Sequence, residues 1–153
     1  MTFANKYTEQ HYILSDDHRK QVVLSDTREP RKYIANNTKH QRVIVYKVDG
    51  GIISDKAQRK CDYAFWTEED CVYFIELKGG DYSRALTQLH STIIQLVQES
   101  KVVAKEIHAR IVLSKGRAVR AAGANANEAK LHKLLKKFGG NLIKSSQVLT
   151  ENI

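Results

Sequence analysis

Three side chains in the middle of the chain, Asp62, Glu76 and Lys78, have the chemistry of a metal-assisted hydrolytic site. Glu76 and Lys78 are two residues apart in an apolar run, so a strand would project both from one face. Two adjacent carboxylates repel each other unless a cation lies between them, and their oxygens suit Mg²⁺ or Mn²⁺. A lysine beside that ion can activate a water or offset charge developing on a phosphate. The set therefore predicts phosphodiester hydrolysis.

The two strands that carry these residues must pair in one register for the acids to meet. Apolar strands are predicted over residues 60–66 and 71–78, joined by an acidic turn. Pairing Asp62 with Glu76 leaves a three-residue loop, which is an allowed hairpin length although this loop contains no glycine. The Cβ atoms of the two acids would then lie roughly 5 Å apart. The carbonyl of Leu77, between Glu76 and the lysine, could add a metal ligand.

The same register separates the two cysteines. Cys61 and Cys71 would stand about six ladder steps apart, or about 20 Å at roughly 3.3 Å per residue. That distance is far beyond the reach of a disulfide, and two cysteines alone cannot complete a four-ligand zinc site. We therefore predict two buried free thiols.

The spacing of Asp62 and Glu76-Leu77-Lys78, on a hairpin before a long helix, resembles the PD-(D/E)XK nuclease superfamily. That superfamily includes restriction enzymes, Holliday-junction resolvases and RecB-type nucleases, and the resemblance covers about residues 28–114. It implies an α/β fold with a restriction-endonuclease-like three-layer core, in which helices flank a mixed central sheet. It also implies that Asp62 and Glu76 bind the metal and that Lys78 is the catalytic lysine.

The resemblance also suggests residues that would support the site. Some members carry an additional metal-contacting acid on the first helix, and Glu29 is the candidate for that role here. RecB-type members carry a glutamine and a tyrosine on the helix after the lysine. Gln88 fits the glutamine, whereas Thr92 stands where the tyrosine is expected. Cys61 replaces the proline that precedes the first acid, which removes no ligand.

Hydrophobic periodicity and turn residues predict the elements that position the site. In chain order we expect a hairpin of His11–Leu14 with Gln21–Leu24, a short helix from Ser25 to about Asn37, strands at 42–48, 60–66 and 71–78, a long helix at about 82–104, a strand at 107–113, a helix at about 127–138 closed by Gly139-Gly140, and a strand at 141–144. Three adjacent strands followed by a helical crossover imply a mixed sheet covered by helices. Residues 1–153 are expected to form a single nuclease-like domain.

The charge balance favours a polyanionic partner. Lys and Arg total 25 against 17 Asp and Glu, giving a net charge of +8. The candidate phosphate contacts precede Asp62 or lie in the loop before the last helix; they are Lys56, Arg59, Lys60, Lys115 and Arg117. Contacts of this kind give salt-dependent affinity without reading the base sequence. The basic run at 130–137 fits either phosphate contact or an ordinary solvated helix face.

The leading hypothesis is a Mg²⁺- or Mn²⁺-dependent endonuclease that acts on DNA. One site in so small a chain predicts a homodimer, because cutting both strands usually takes two sites. No apolar run has the length of a membrane helix and the first residues lack a secretory pattern, so a cytoplasmic location is expected. Three alternatives remain open: a surface ion-pair ladder, a catalytically inactive nucleic-acid-binding module on the same fold, and a protein-interaction module.

Overall fold

A computed structural model of the protein describes residues 1–26, 30–78, 81–114 and 125–153, excluding the side chains of Lys78 and Asn125. Its strands are β1 (Ile13–Asp17), β2 (Gln21–Ser25), β3 (Lys32–Asn36), β4 (Val43–Lys47), β5 (Tyr63–Thr67), β6 (Cys71–Lys78), β7 (Glu106–Leu113), β8 (Leu142–Ser146) and β9 (Val148–Asn152). Its helices are α1 (Phe3–Lys6), α2 (Tyr82–Ile93) and α3 (Asn125–Lys137), with a 3₁₀ turn at Gln10–Tyr12 and a π-helical segment at Ile94–Glu99. The fold class is α/β, as predicted.

The main sheet has six strands in the order β1-β4-β5-β6-β7-β8. Strands β4, β5 and β6 form an antiparallel meander, as their alternating apolar residues predicted. The chain then crosses over through α2 and returns as β7, which runs parallel to β6, and β8 runs parallel to β7. The predicted mixed sheet is therefore confirmed.

The two faces of this sheet are covered by different kinds of structure. Phe74 on one face packs with Leu86 and Leu89 of α2 in the larger hydrophobic core. Ile75 on the other face packs with Tyr33 and other residues of a second sheet, ordered β2-β3-β9. Among the described residues, helices flank one face of the main sheet only. A small sheet covers the other face and provides the third layer.

The N-terminal region differs most from the prediction. Strand β1 pairs with β4 while β2 pairs with β3, so the expected hairpin between them does not form. The expected helix after Ser25 is wrong as well, since residues 32–36 form β3. Tyr33 and Ala35 are fully buried at a spacing of two, which is the pattern of a strand. Burial of that face outweighs the capping residues that favoured a helix.

The long helix ends earlier than predicted, whereas the last helix ends where its glycines indicated. After α2 the chain continues as the π-helical segment and then turns at Lys101, whose φ is +55°. The hydroxyl of Tyr7 donates to the carbonyl of Leu96 within that segment at 2.6 Å. After α3, Gly139 adopts φ +70° and allows the chain to turn away. Across the described ranges, none of the helices is long and apolar enough to cross a membrane.

A buried ion pair ties the second sheet to the strand beside β6. Arg110 on β7 is 3% exposed, and its Nε donates to Oε2 of Glu151 at 2.7 Å. The hydroxyl of Tyr33 donates to the same oxygen at 2.7 Å. Because a buried charge is stable only when it is paired and hydrogen-bonded, this contact fixes β9 and β3 against the main sheet. The face of β6 that carries Ile75 is thereby held rigid.

Candidate active site

The hairpin register that places the two acids together is confirmed. Tyr63 pairs with Ile75 and Trp66 with Val72, as predicted, and Asp62 lies just before the first residue of β5. The N–H of Asp62 donates at 3.2 Å to the carbonyl of Ile75, the partner of Tyr63, so the regular pairing ends at this point. The site therefore lies where β5 begins and β6 approaches its end.

The turn of this hairpin needs no glycine because an aspartate takes the left-handed position. Asp70 has φ +66°, and its N–H donates to the carbonyl of Thr67 at 2.8 Å. Its Oδ1 accepts a hydrogen bond from the indole nitrogen of Trp66 at 2.9 Å. Aspartate tolerates this conformation better than most residues. The three-residue loop, and with it the register, is thus specified by a residue that the sequence analysis did not single out.

Each carboxylate of the pair accepts a backbone hydrogen bond from the other strand. Oδ2 of Asp62 accepts from the N–H of Leu77 at 2.9 Å, and Oε1 of Glu76 accepts from the N–H of Asp62 at 3.1 Å. The carbonyl of Asp62 accepts from the N–H of Val48 at 3.0 Å, just after β4. Glu76 is only 2% exposed, whereas Asp62 is half-buried. The two acids are therefore oriented by three strands before any ligand binds.

The electrostatic surroundings of the pair favour a cation. Burial raises the pKa of the Asp62 carboxyl, and the Leu77 N–H and the Glu76 side chain act in the opposite direction. Asp49 and Asp26 raise the same pKa further through their negative charge. A buried carboxyl near other acids is costly to ionise unless a positive ion compensates it. Asp26 and Asp49 were not predicted to belong to the site, since nothing in their local sequence distinguishes them from turn residues.

The oxygen donors around the pair are two carboxylates and one backbone carbonyl. The described residues contain no cluster of three or more His, Cys, Asp or Glu side chains arranged to hold a metal. Zinc sites need three or four such protein ligands. Mg²⁺ is commonly held by one or two carboxylates together with waters and substrate phosphates. The carboxylates of Asp62 and Glu76 and the carbonyl of Leu77 match that smaller requirement.

Asp62 is the acid of the pair that opens to solvent. It lines a cavity of about 420 Å³ together with Lys47, Asp49, Gly50 and Tyr63. Lys47 is exposed at the end of β4 and brings a positive charge to the entrance of the cavity. Glu76 does not line this cavity, so a ligand entering from this side meets Asp62. Lys47 had not been predicted, because its position emerges only from the β4–β5 pairing.

Several predicted residues fall wholly or partly outside the described residues. The backbone of Lys78 belongs to β6 and pairs with Leu113 of β7, while its side chain is not described. Glu29, Lys115 and Arg117 are outside the described ranges altogether. Their predicted roles therefore remain predictions.

Helix α2 supports the residue before Asp62 through Thr92. The Thr92 hydroxyl accepts a hydrogen bond from the N–H of Cys61 at 2.9 Å and donates to the carbonyl of Gln88 at 2.7 Å. The amide oxygen of Gln88 is buried without a hydrogen bond from any described residue. Cys61 is fully buried, and burial raises the pKa of its thiol well above the ordinary value. Both cysteines are free, as predicted.

Replacing Thr92 by valine should lower the free energy of unfolding by about 1–3 kcal/mol. The change keeps the shape of the side chain but leaves the N–H of Cys61 buried without a partner. Urea denaturation of Thr92→Val and Thr92→Ser measures the effect, and the serine variant should retain most of the stability because it keeps the hydroxyl. Equal stability of the two variants would show that the hydroxyl does not hold the residue before Asp62.

The basic residues before Asp62 divide into two kinds. Lys56 and Arg59 are exposed, as phosphate contacts would need to be. Lys60 is only 8% exposed, and its ammonium donates to the carbonyls of Asp55 at 2.6 Å and Gln58 at 3.1 Å. The ammonium of Lys60 therefore stabilises the loop that carries Lys56 and Arg59.

Comparisons of this chain with protein-family models, with curated proteins and with solved structures give no match, so its own geometry carries the functional argument.

Proposed function

We propose that this protein is a divalent-metal-dependent nuclease that hydrolyses phosphodiester bonds in DNA. The observation that carries the proposal is the contact of Asp62 with Glu76, two buried or half-buried acids whose carboxylates each accept a backbone N–H. Lys78 follows Glu76 two residues later on β6. The order β4, β5, β6, α2, β7 supports the resemblance to PD-(D/E)XK nucleases, so the proposal includes a restriction-endonuclease-like core.

The proposed cofactor is Mg²⁺ or Mn²⁺, held by the carboxylates of Asp62 and Glu76 and the carbonyl of Leu77. When bound, such an ion polarises a phosphoryl oxygen and lowers the pKa of a water molecule. The backbone hydrogen bonds from Leu77 and Asp62 keep the two carboxylates in place, so little reorganisation is needed when the substrate arrives.

The cationic side chains of the site would act on the phosphate and on the attacking water. Lys78 would orient that water or offset the negative charge that develops in the transition state. Lys47 at the cavity entrance would attract the phosphate and reduce its repulsion by Asp62. The burial of Glu76 excludes bulk water from the inner side of the pair, which strengthens these interactions.

A catalytically inactive module that binds nucleic acid or another protein is the alternative function. The observation that favours it is that both carboxylates already have a structural role. Each accepts a hydrogen bond from a backbone N–H at the end of the hairpin ladder. Such hydrogen bonds would stabilise a hairpin without any catalysis. This alternative predicts that no divalent ion supports cleavage.

The test is cleavage of a panel of linear, nicked, branched and single-stranded DNA, and of RNA, with Mg²⁺, with Mn²⁺ and with a chelator. The wild type should cleave at least one substrate in a metal-dependent way, and Lys78→Ala should reduce that cleavage strongly. Lys39→Ala is the matched control, because Lys39 is an exposed lysine paired with Glu69 at the far end of the hairpin. Wild-type cleavage no greater than that of Lys78→Ala would refute the proposal. Light scattering of the same samples tests for the proposed homodimer.

A further inference from the structure

A second cavity is lined by cations from segments that neighbour the proposed active site in sequence. Its volume is about 580 Å³, and it opens between the loop 54–59 and the first turns of α2 and α3. Its polar lining includes Lys56, Arg59, Ser83, Arg84, Thr87 and Asn127. Arg59 precedes Asp62 by three residues, and α2 begins four residues after Lys78. The residues that line this cationic cavity are therefore close in sequence to both strands of the proposed site.

The arginines of the cationic cavity differ from the other arginines that the structure describes. Every other described arginine is bound to a carboxylate: Arg19 to Asp17, Arg31 to Asp26, Arg42 to Asp16 and Arg110 to Glu151. Arg59 and Arg84 have no such partner among the described residues, and both line the cavity. Lys56 is likewise exposed without a described ion pair. Three uncompensated positive charges thus converge on one concave surface.

The single acid of the lining does not neutralise these charges. Asp81 is the N-cap of α2, and its Oδ1 accepts the N–H of Arg84 at 3.0 Å. Its carboxylate is therefore oriented by the backbone of the helix. The first turn of α2 also contributes a partial positive charge, because its N–H groups point out of the helix. The cavity favours an anion on balance.

The chemistry of the lining selects a phosphate over a base. Guanidinium groups match phosphate oxygens with two parallel hydrogen bonds, and the hydroxyl of Ser83 and the amide of Asn127 are further polar partners. The lining contains no aromatic ring among the described residues, so it offers no surface on which a base could stack. Contacts of this type bind the backbone and do not read sequence.

The walls of the cationic cavity are fixed before a ligand enters. The amide nitrogen of Asn127 donates to the hydroxyl of Ser83 at 2.7 Å, which joins α3 to α2. The hydroxyl of Tyr82 donates to Glu128 at 2.8 Å and strengthens the same junction. On the opposite wall the buried ammonium of Lys60 holds the loop carbonyls described above. Preorganised groups lose less entropy on binding than mobile surface chains do.

We infer that the cationic cavity is a phosphate-binding site that holds one phosphate of the nucleic-acid backbone beside the cleaved bond, with Arg59 and Arg84 as its principal ligands. The inference rests on the proposed nuclease function for the identity of its ligand. It adds Arg84, Ser83 and Asn127 to the substrate contacts. It also implies that the enzyme contacts the nucleic-acid backbone here without dependence on the base sequence.

The test compares the wild type with Arg59→Ala/Arg84→Ala in two measurements. The first is binding of a fluorescent oligonucleotide, with and without a 5′-phosphate, over a range of salt concentrations in chelator. The double variant should bind at least about 10-fold more weakly, and the slope of log affinity against log salt should fall by roughly one to two. The second is Mg²⁺-dependent cleavage, in which KM should rise while kcat changes little. Inorganic phosphate should compete with the oligonucleotide for the wild type only.

The control is Lys6→Ala/Lys20→Ala, which removes the same charge from exposed residues outside the cavity lining. An equal loss of affinity in this control would show that affinity depends only on the net charge of the protein. That result would overturn the inference. Unchanged KM and salt slope in Arg59→Ala/Arg84→Ala, with active wild type, would also overturn it and leave the nuclease proposal intact. A wild type that never cleaves but binds through these arginines would refute the nuclease proposal and keep the phosphate site. Dependence of affinity on the 5′-phosphate distinguishes a terminal phosphate from an internal one.

Discussion

Glu76→Gln should reduce metal-dependent cleavage by about 1,000-fold or more while leaving the protein at least as stable as the wild type in the absence of metal. Glutamine has the shape of glutamate and keeps an oxygen that can accept the N–H of Asp62. It removes the negative charge of a carboxyl that is only 2% exposed, and burial of a charge opposes folding. The proposed metal ion needs the negative charge of Glu76 for its binding. Catalysis and stability should therefore change in opposite directions.

A thermal unfolding scan in chelator and a cleavage assay on the same samples check both halves of this expectation. Glu69→Gln is the matched control, because it makes the same chemical change at an exposed acid in the turn of the same hairpin. It should leave cleavage nearly unchanged. If Glu76→Gln instead unfolded at a clearly lower temperature, Glu76 would be part of a stabilising ion-pair ladder and the catalytic assignment would be wrong.

The hairpin could be predicted from the sequence because its information is local. Alternation along β6 separates Phe74 and Glu76 from Ile75 and Leu77, and a one-residue slip would exchange the two faces. A short loop then leaves few registers to choose from. The predicted register followed from these constraints alone, and the pairing of Ala64 with Phe74 confirms it.

The second sheet could not be predicted because its pairings join distant parts of the chain. Strand β3 lies between β2 and β9, so its parallel neighbour is more than 100 residues away in sequence. Its buried residues Tyr33 and Ala35 number only two, which is too few to outweigh a proline and several capping residues in a local reading. The charge of Glu151 on β9 is compensated by Arg110 of β7, a relation visible only in three dimensions.

The residues of the candidate site were also predictable only where their spacing along the chain is local. Asp62 and Glu76 were recognisable because their spacing fits a hairpin, whereas Asp26, Lys47 and Arg84 come from separate elements and have no shared spacing. The one available signal for Arg84 was its place in the first turn of a helix that begins beside the proposed lysine. Long-range packing, rather than any local pattern, decides which polar residues join a site.

Mg²⁺ should stabilise the wild type and fail to stabilise Asp62→Asn. An ion that binds only the folded state at about 100 times its dissociation constant adds about 2.7 kcal/mol to the free energy of unfolding. For a chain of this size that corresponds to a rise in Tm of roughly 5–10 °C. Asp62 is the half-buried acid that lines the cavity, so its carboxylate is the first ligand the ion would meet. Asparagine keeps an oxygen for the N–H of Leu77 but loses the charge.

Thermal scans with Mg²⁺, and with NaCl at matched ionic strength, separate this binding from general screening. Asp17→Asn is the control, since Asp17 is an exposed acid at the end of β1 that pairs with Arg19 on the surface. It should respond to Mg²⁺ as the wild type does. An equal rise in Tm for Asp62→Asn and wild type would place the ion elsewhere and remove the physical reason for two acids to face each other across this hairpin. Loss of the rise in Asp62→Asn alone would locate the ion at the pair before any substrate is known, because the measurement depends on the fold and not on cleavage.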